Sequence, residues 1–373
     1  MGNQVYENQK CTLEYSKSQI DKSAQLIRHG CEGEERNKAI AMVQNYRELH
    51  LYPLMLMKNH LARASVKVGK KIIVVRRLKR LSTIIDKLER PTLDGKTSNA
   101  IRLTRMQDIG GCRAIVKNLE QLKLLQDLLS KSRSIHKIVK ISSYLTPKPS
   151  GYGGVHLIYS CFDNSDDLNS WKKTKIEVQL RTELQHAWAT SLEIIDTLED
   201  IKLKTSNEGH EDWRRFFYIT GCLVAHDEKA CILDERQVIG YRHELAKLES
   251  SLSVIRTLAR YTLAIRFTTH DDMQKKLPKN HKGYFLLTIP KPKPKPAEGN
   301  NNNYLVSVMP FRISQAHLAL DALKKNDADE NVLISVLLSA ENVRTLKKAY
   351  PNYFGSTTQF TNFLTKHIDK LAE

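Results

Sequence analysis

The chain has 373 residues, 41% of them hydrophobic, and a formal net charge of +18. That length suits two domains, or one large domain with an appendage, in a folded globular protein. No stretch approaches the length of a transmembrane helix, and the opening MGNQVYENQK has neither the pattern of a secretory signal nor the Ser or Thr that myristoylation favours at the sixth position.

From about Ser18 to Arg63 the pattern is helical. One segment ends near His29-Gly30, a good C-cap, and a second runs through Ala39, Ile40, Val43, Tyr46, Leu49 and His50, with Pro53 expected to kink or break it. Lys70 to Arg77 is a short apolar run flanked by charge and reads as a buried strand. A helix is expected from Ser82 to Glu89, stopped by Pro91. Asp108-Ile-Gly-Gly111 is a turn leading into an apolar strand over Cys112–Lys117. A helix over Leu119–Ser132 follows, then strands near Ile135–Leu145, Val155–Phe162 and Lys175–Arg181. A long helix begins near Thr182, and two or three helices fill the chain to about Phe267. Strands interleaved with helices point to an α/β or α+β core rather than a bundle.

After Thr269 the character changes. Gly283–Pro290 and Asn303–Pro310 are strand candidates joined by KPKPKPAEGNNN, whose alternating Lys-Pro favours extended backbone. Helices are expected over Ser314–Lys324, Asn331–Lys348 and Thr358–Leu371. A domain boundary is placed near residue 270.

The six cysteines are scattered, with no CxxC or Cys/His cluster, as in a cytoplasmic protein with reduced thiols and no zinc site. The positive charge predicts attraction to polyanions, whether nucleotides, RNA or DNA; no membrane partner is expected, as no stretch approaches the length that spans one.

Lys175-Ile-Glu-Val-Gln-Leu-Arg181 alternates, so Glu177, Gln179 and Arg181 share one strand face and Ile176, Val178 and Leu180 the other. An acid, an amide and a cation in line suit a polar cleft, and equally a solvated face. Asp108 sits where a turn enters a strand. If that strand neighbours Glu177, the two carboxylates could share one Mg²⁺, an ion that takes a few protein oxygens plus substrate phosphate. Pro147-Lys-Pro-Ser-Gly-Tyr-Gly-Gly-Val-His156 combines glycines with an aromatic, Tyr152, able to stack on a base; an ordinary hairpin turn would read the same way. Arg76, Arg77, Lys79, Arg80, Lys87 and Arg90 place cations across a strand–helix junction, which suits polyphosphate or a plain charged surface.

The order of these signals is more specific than any one of them. Arg77-Leu-Lys79 with Thr83, Lys87 and Arg90 comes first, then Asp108 through Arg113, then Pro147-Lys148 with Gly151-Tyr152 and His156. Glu177 through Thr182 with His186-Ala-Trp188-Ala189 completes the series. This succession resembles the RelA/SpoT synthetase family over about residues 40–200, and Tyr46-Arg47, His50 and Pro53-Leu54 resemble its leading helix. The resemblance implies an α+β fold: a mixed-sheet, nucleotidyltransferase-like synthetase core flanked by helices. It implies a pyrophosphokinase that moves the β,γ-pyrophosphate of ATP to a ribose 3′-hydroxyl. By motif position Arg77 and Arg113 would sandwich adenine, and Lys79, Thr83, Lys87 and Arg90 would hold the phosphates. Asp108 and Glu177 would bind Mg²⁺, with Glu177 placed to take the hydroxyl proton. Tyr152 would stack on the acceptor base, and Lys148, His156, Gln179, Arg181 and His186 would line the acceptor side.

Ser143, Gly153, Gly154 and Glu193-Ile194 depart from the residues that family alarmone synthetases usually carry, which favours an acceptor held by charge and stacking, such as an RNA end. The C-terminal part resembles the regulatory domain of fused toxin–antitoxin, phage-defence members of the family, of CapRel type, in which a tyrosine pair docks near the ATP site. Tyr350 and Tyr353 match that pair. The expected organisation is a synthetase domain over 1–269 and a small α/β regulatory domain over 270–373. The expected acceptor is the 3′-terminal adenosine of tRNA, and the expected trigger is a phage protein such as the major capsid protein.

Overall fold

A computed structural model describes residues 7, 9–90, 102–164, 170–198, 203, 210–269, 282–290, 307–339 and 354–371. The chain divides into two compact units, Met1–Gln185 with Val224–Ile232, and His186–Leu223 with Leu233–Glu373. The expected boundary near 270 falls inside the second unit, and residue 270 lies outside the described residues.

The first unit opens with helices α1 (Lys17–Arg28), α2 (Gly33–Glu48) and α3 (Leu51–Val68). Ser16 starts α1 with a capping box: its hydroxyl accepts from the Gln19 N–H while the Gln19 side chain accepts from the Ser16 N–H. The break between α2 and α3 comes before Pro53 rather than at it. Pro53 is the third residue of α3, within the first turn, where a backbone N–H has no partner inside the helix and its loss costs little.

Strand β1 (Ile73–Leu78) and helix α4 (Leu81–Glu89) follow, then β2 (Gly110–Val116), α5 (Leu119–Ser130), β3 (Lys137–Ser143), β4 (Val155–Ser160) and β5 (Lys175–Thr182). Among the described residues these strands form one mixed sheet in the order β1-β2-β5-β4-β3, parallel only between β2 and β5. The α+β expectation holds, with a mixed sheet flanked by helices. The expectation of a buried strand over Lys70–Arg77 does not: β1 is an edge strand, and Ile73 and Val75 are exposed. An apolar run without alternation looks the same whether both faces are covered or neither is.

The two faces of the sheet divide by the period of two. Cys112, Ala114, Val116, Val178, Leu180, Leu157 and Tyr159 bury one face against Leu54, Met57 and Leu61 of α3 and Leu122, Leu125 and Leu129 of α5. Each fully buried Leu contributes about 1.5–3 kcal/mol. The other face carries polar side chains. A second cluster joins Ile20, Ala24 and Ile27 of α1 and Val43 and Tyr46 of α2 to Ile84 and Leu88 of α4, and so fixes α4 beside β1. Arg28 Nε donating to the Leu88 carbonyl at 3.1 Å adds to this.

Helix α6 (Glu183–Leu198) begins in the first unit and continues in the second. The second unit also holds α7 (Glu211–Asp227, whose last turn returns to the first unit), α8 (Glu235–Leu252) and α9 (Val254–Thr269). Trp188 Nε1 donates to the Phe217 carbonyl and to Thr220 Oγ1, both at 3.1 Å, pinning α6 to α7. Then come β6 (Gly283–Pro290), β7 (Ser307–Arg312), α10 (Ala316–Ala328), β8 (Val332–Ser339) and α11 (Phe354–Asp369). Among the described residues β7-β6-β8 form an antiparallel sheet with β6 in the centre. Leu286, Phe311 and Ala319 seat α10 on it.

The helix expected over Asn331–Lys348 is instead, in its described part, strand β8. Val332, Ile334 and Val336 are β-branched at alternate positions, which a pleated strand accommodates and a helix restricts. The remainder of that segment, the Lys-Pro loop, Tyr350 and Tyr353 lie outside the described residues. None of the six cysteines is in a disulfide, and among the described residues no helix is long and apolar enough to cross a membrane.

Candidate active site

The polar face of the five-stranded sheet is ordered in rows by the strand register. Arg77, Gly111, Glu177, Ile158 and Lys140 lie across it in one row; Val75, Arg113, Gln179, His156 and Ser142 form the next. The expected sharing of a face by Glu177, Gln179 and Arg181 holds, with Ile176, Val178 and Leu180 fully buried behind them.

A closed ring of hydrogen bonds joins these side chains. His156 Nδ1 meets Glu177 Oε1 at 2.8 Å, and Gln179 Nε2 donates to Glu177 Oε2 at 2.8 Å. Gln179 Oε1 accepts from Arg113 Nε and from Arg181 Nη2, both at 3.2 Å. Arg181 Nε donates to Tyr152 Oη at 3.1 Å, and Tyr152 Oη lies 2.6 Å from His156 Nε2. For a neutral imidazole the direction of the chain is set: Arg181 donates to Tyr152, Tyr152 to His156 Nε2, and His156 Nδ1–H to Glu177. Burial pushes the Glu177 carboxyl up and the charge of Asp108 adds to that, but the bonds from His156 and Gln179 prevail and hold it below its ordinary value. Glu177 is therefore ionised and oriented at neutral pH.

Tyr152 reaches this ring from a constrained loop. Gly151 has φ +83° and Gly154 φ +135°, and a Cβ on Gly154 would stand 3.1 Å from the Leu180 carbonyl oxygen. Glycine is required there for the loop to lie against β5. Lys148, the loop's cation, donates its backbone N–H to the Tyr152 carbonyl at 3.1 Å.

Asp108 precedes β2, beside β5. Lys79 Nζ contacts its Oδ2, and Lys87 Nζ lies 3.3 Å from its Oδ1. Burial raises the Asp108 carboxyl, and the two ammonium groups outweigh it and hold the group low. For Lys79 the balance runs the other way: burial depresses its ammonium more than Asp108 restores it. The backbone sets the pair, since Lys79 N–H donates to the Ile109 carbonyl at 2.8 Å and Arg47 Nε donates to the Lys79 carbonyl at 2.6 Å.

Thr83 and Lys87 fall at i and i+4 on one stripe of α4, beside Ile84 and Leu88 in the core, and Arg90 follows as the C-cap in extended backbone. Thr83 lies in the first turn, and the N-cap residue, Arg80, makes no side-chain cap bond. Arg77 and Arg113 stand diagonally on paired strands across Gly111, a separation of about 7–8 Å, the thickness of a planar base between two guanidinium planes. His186 is one turn into α6 and belongs to the second unit.

Two features had no counterpart in the motif reading. One is the link from His156 to both Tyr152 and Glu177, which depends on the register of β4 with β5. The other is Glu228, over a hundred residues from the motif core's first cations. Gln185 Nε2 donates to Glu228 Oε2 at 2.9 Å; Thr182 Oγ1, at the end of β5, accepts from the Gln185 N–H while Gln185 Oε1 accepts from the Thr182 N–H, and the Gln185 side chain lies beside Gly153. Burial pushes the Glu228 carboxyl up to about 7, against the bonds from Thr182 and Gln185. A buried carboxyl with an amide partner has no local sequence signature.

Among the described residues no group of three or more His, Cys, Asp or Glu could hold a metal by itself. The donor set near the sheet is two ionised carboxylates, Asp108 and Glu177, close enough for the charge of one to act on the other. That set fits Mg²⁺, which binds through one or two carboxylates and substrate phosphates.

With this geometry in hand, three comparisons bear on the chain. Residues 76–194 match the family described as a region found in RelA/SpoT proteins. A GTP pyrophosphokinase of Bacillus subtilis, YwaC, is 30% identical over 115 residues, which is 31% of this chain and 52% of that protein. The chain thus aligns with about half the length of this curated relative. Among solved structures, the small alarmone synthetase 1 of Bacillus subtilis bound to its product pppGpp is 19% identical, over 48% of this chain and 88% of that one, with a TM-score of 0.38. The small alarmone synthetase 2 of the same organism is 20% identical over 50% and 94%, with a TM-score of 0.40. A GTP pyrophosphokinase family protein of Streptococcus pneumoniae is 20% identical over 50% and 89%, with a TM-score of 0.39. The ring from Arg113 to Arg181, and the Lys79–Asp108–Lys87 cluster with it, lie wholly within the stretch that is similar to the region found in RelA/SpoT proteins.

Proposed function

We propose that the chain is an ATP-dependent pyrophosphokinase, and that its acceptor is the 3′-terminal adenosine of tRNA, so that the reaction stops translation. The observation that carries the reading is Glu177: a carboxylate held ionised and aimed by His156 and Gln179, on the same sheet face as Arg113 and beside the Asp108 cation cluster. The acceptor's 3′-oxygen attacks the β-phosphorus of ATP. The bond from that phosphorus to the α,β-bridging oxygen breaks, AMP leaves with the oxygen, and the hydroxyl proton passes to Glu177. Such a transfer needs positioning and charge neutralisation more than covalent chemistry.

Arg77 and Arg113 would flank adenine. Lys79, Lys87 and Arg90, with Thr83 at the start of α4, would take the phosphates, the two lysines moving from Asp108 to phosphate oxygens. Asp108 and Glu177 would hold Mg²⁺, which supplies charge neutralisation at the phosphates. Tyr152 would stack on the acceptor base, with Lys148, His156, Gln179, Arg181 and His186 around it.

The net charge of +18 and the departures at Ser143, Gly153 and Gly154 support an RNA end as acceptor. The second reading is synthesis of (p)ppGpp or ppApp from free nucleotides, favoured by what the relative YwaC is named for. Incubation with γ-labelled ATP and either tRNA or GDP separates them. Label on tRNA supports the first reading and label on the nucleotide the second; label on neither, from the full chain and from a chain ending near residue 270 alike, would leave a catalytically inactive RNA-binding module.

The regulatory half of the proposal rests on the sequence resemblance of the C-terminal part to fused antitoxin domains. Residues 270–373 would occlude the ATP site through Tyr350 and Tyr353 until a phage protein, such as a major capsid protein, binds them. A chain ending near residue 270 should be toxic on expression where the full chain is not; equal behaviour of the two refutes the occlusion.

A further inference from the structure

The polar face does not stop at Tyr152. On edge strand β3 the residues Lys140 and Ser142 lie in the same rows as Glu177 and Gln179, and Tyr144 continues the alternation by one step. Its backbone N–H donates to the Gly154 carbonyl at 2.8 Å, which seats it against the acceptor loop. The Tyr144 ring lies 5.9 Å from that of Tyr152 and 5.2 Å from that of His156, edge-on to both. Lys148 Nζ stands 3.7 Å over the Tyr144 ring and 5.8 Å from that of Tyr152. The aromatic face therefore carries a cation from an exposed loop, and Lys140 is exposed beside it. The bond to Ser142, and after it the two lysines, also draws the Tyr144 hydroxyl below its ordinary pKa against the effect of burial.

Two aromatic rings in edge-on contact, each with a lysine ammonium near its face, are the parts from which single-stranded nucleic acid sites are built: a π-face per base and a cation per phosphate. A lone mononucleotide would use Tyr152 and leave Tyr144, Lys140 and the sheet edge with nothing to bind.

We propose that Tyr144, Lys140 and Lys148 form a second base-and-phosphate subsite, which takes the nucleotide preceding the 3′-terminal one of a single-stranded RNA end. The inference rests on the reading of the acceptor as an RNA end. On binding, the base replaces the Lys148 ammonium on the Tyr144 ring, and Lys148 and Lys140 take the linking phosphate. The acceptor strand then runs from Glu177 outward to the open edge at β3.

The test uses the full chain and two probes, a 5′-fluorescent RNA trinucleotide ending CCA and fluorescent AMP, followed by anisotropy and, with ATP, by pyrophosphate transfer. Tyr144→Ala should weaken trinucleotide binding by about 10–100-fold and leave the mononucleotide unchanged, with Tyr144→Phe close to wild type. An equal loss for both probes would show a structural role for Tyr144, and no loss for either, or no trinucleotide binding by wild type, would overturn the subsite. Because binding is read without turnover, a wild type that binds the trinucleotide through Tyr144, with no label transferred to either acceptor by it or by the chain ending near residue 270, would refute the enzyme reading and leave the subsite standing.

Discussion

The two sheets of this chain treat their central strands in opposite ways. In β6 of the second unit Phe285, Leu286 and Leu287 are consecutive and all buried, so both faces of the strand are apolar and withdrawn from water there. In β5 of the first unit only alternate residues are apolar, and the intervening Glu177, Gln179 and Arg181 are bonded to one another and to His156, Tyr152 and Arg113. Withdrawing such groups from water costs free energy that each hydrogen bond only offsets. A strand face that accepts this cost is suited to chemistry, and a strand segment whose successive residues are all apolar and buried is suited to holding a shape.

The largest effect that would sharpen this contrast lies at Glu177. Glu177→Gln keeps the side chain's shape and should lower pyrophosphate transfer by about 10²–10⁴-fold, with the chain still folded though less stable, because the amide retains one of the two bonds that the carboxylate accepts. A full loss of fold on that change would make the polar face structural after all. Next comes the apolar strand. Leu286→Ala should cost about 2–5 kcal/mol in denaturant unfolding, through lost burial and the cavity left behind. A cost near zero would break the comparison from the other side.

Glu228 supplies a smaller and oppositely signed effect. Its carboxyl titrates near 7 in the fold against an ordinary 4.5, so between those values the folded state holds a proton that the unfolded chain has released. Stability should therefore fall as pH rises from 4.5 to 7 and then level. Glu228→Gln should remove that decline and stabilise the protein by about 1–3 kcal/mol at pH 8, read from melting curves across pH. Asp108 and Glu177 have the reverse sign. Their depressed values contribute stability that is fully present above the ordinary 3.8 and 4.5 and is lost as pH falls through the folded values. The smallest effect belongs to the exposed Arg215–Glu244 pair, where Arg215→Ala should cost about 0–1 kcal/mol.

The legibility of the site follows from period and register. Alternation alone placed Glu177, Gln179 and Arg181 on one face, because a strand's geometry has a period of two whatever surrounds it. The pairing of β2 with β5, which brings Asp108 near Glu177, is a long-range choice that local pattern does not encode, and the motif order supplied it instead. The His156–Glu177 contact needed the β4 register, and Glu228 needed a helix end that returns from far along the chain. In the fold, Ile73 and Val75 misled because an edge strand and a buried strand share a composition. Val332–Ser339 misled because an apolar run of eight residues fits a buried helix segment as well as a strand, and only its alternating β-branched residues favour the strand.

The central claim is that one carboxylate-bearing sheet face moves pyrophosphate from ATP to a ribose hydroxyl. Its most direct test is the release of AMP from ATP, followed together with label transfer from γ-labelled ATP in the presence of tRNA, by the full chain, by the chain ending near residue 270, and by each with Glu177→Gln. The account predicts AMP and labelled tRNA in equal amounts from the shortened chain and next to none once Glu177 is replaced; AMP formation that is indifferent to Glu177, or absent from both the full and the shortened chain with every acceptor offered, would contradict it.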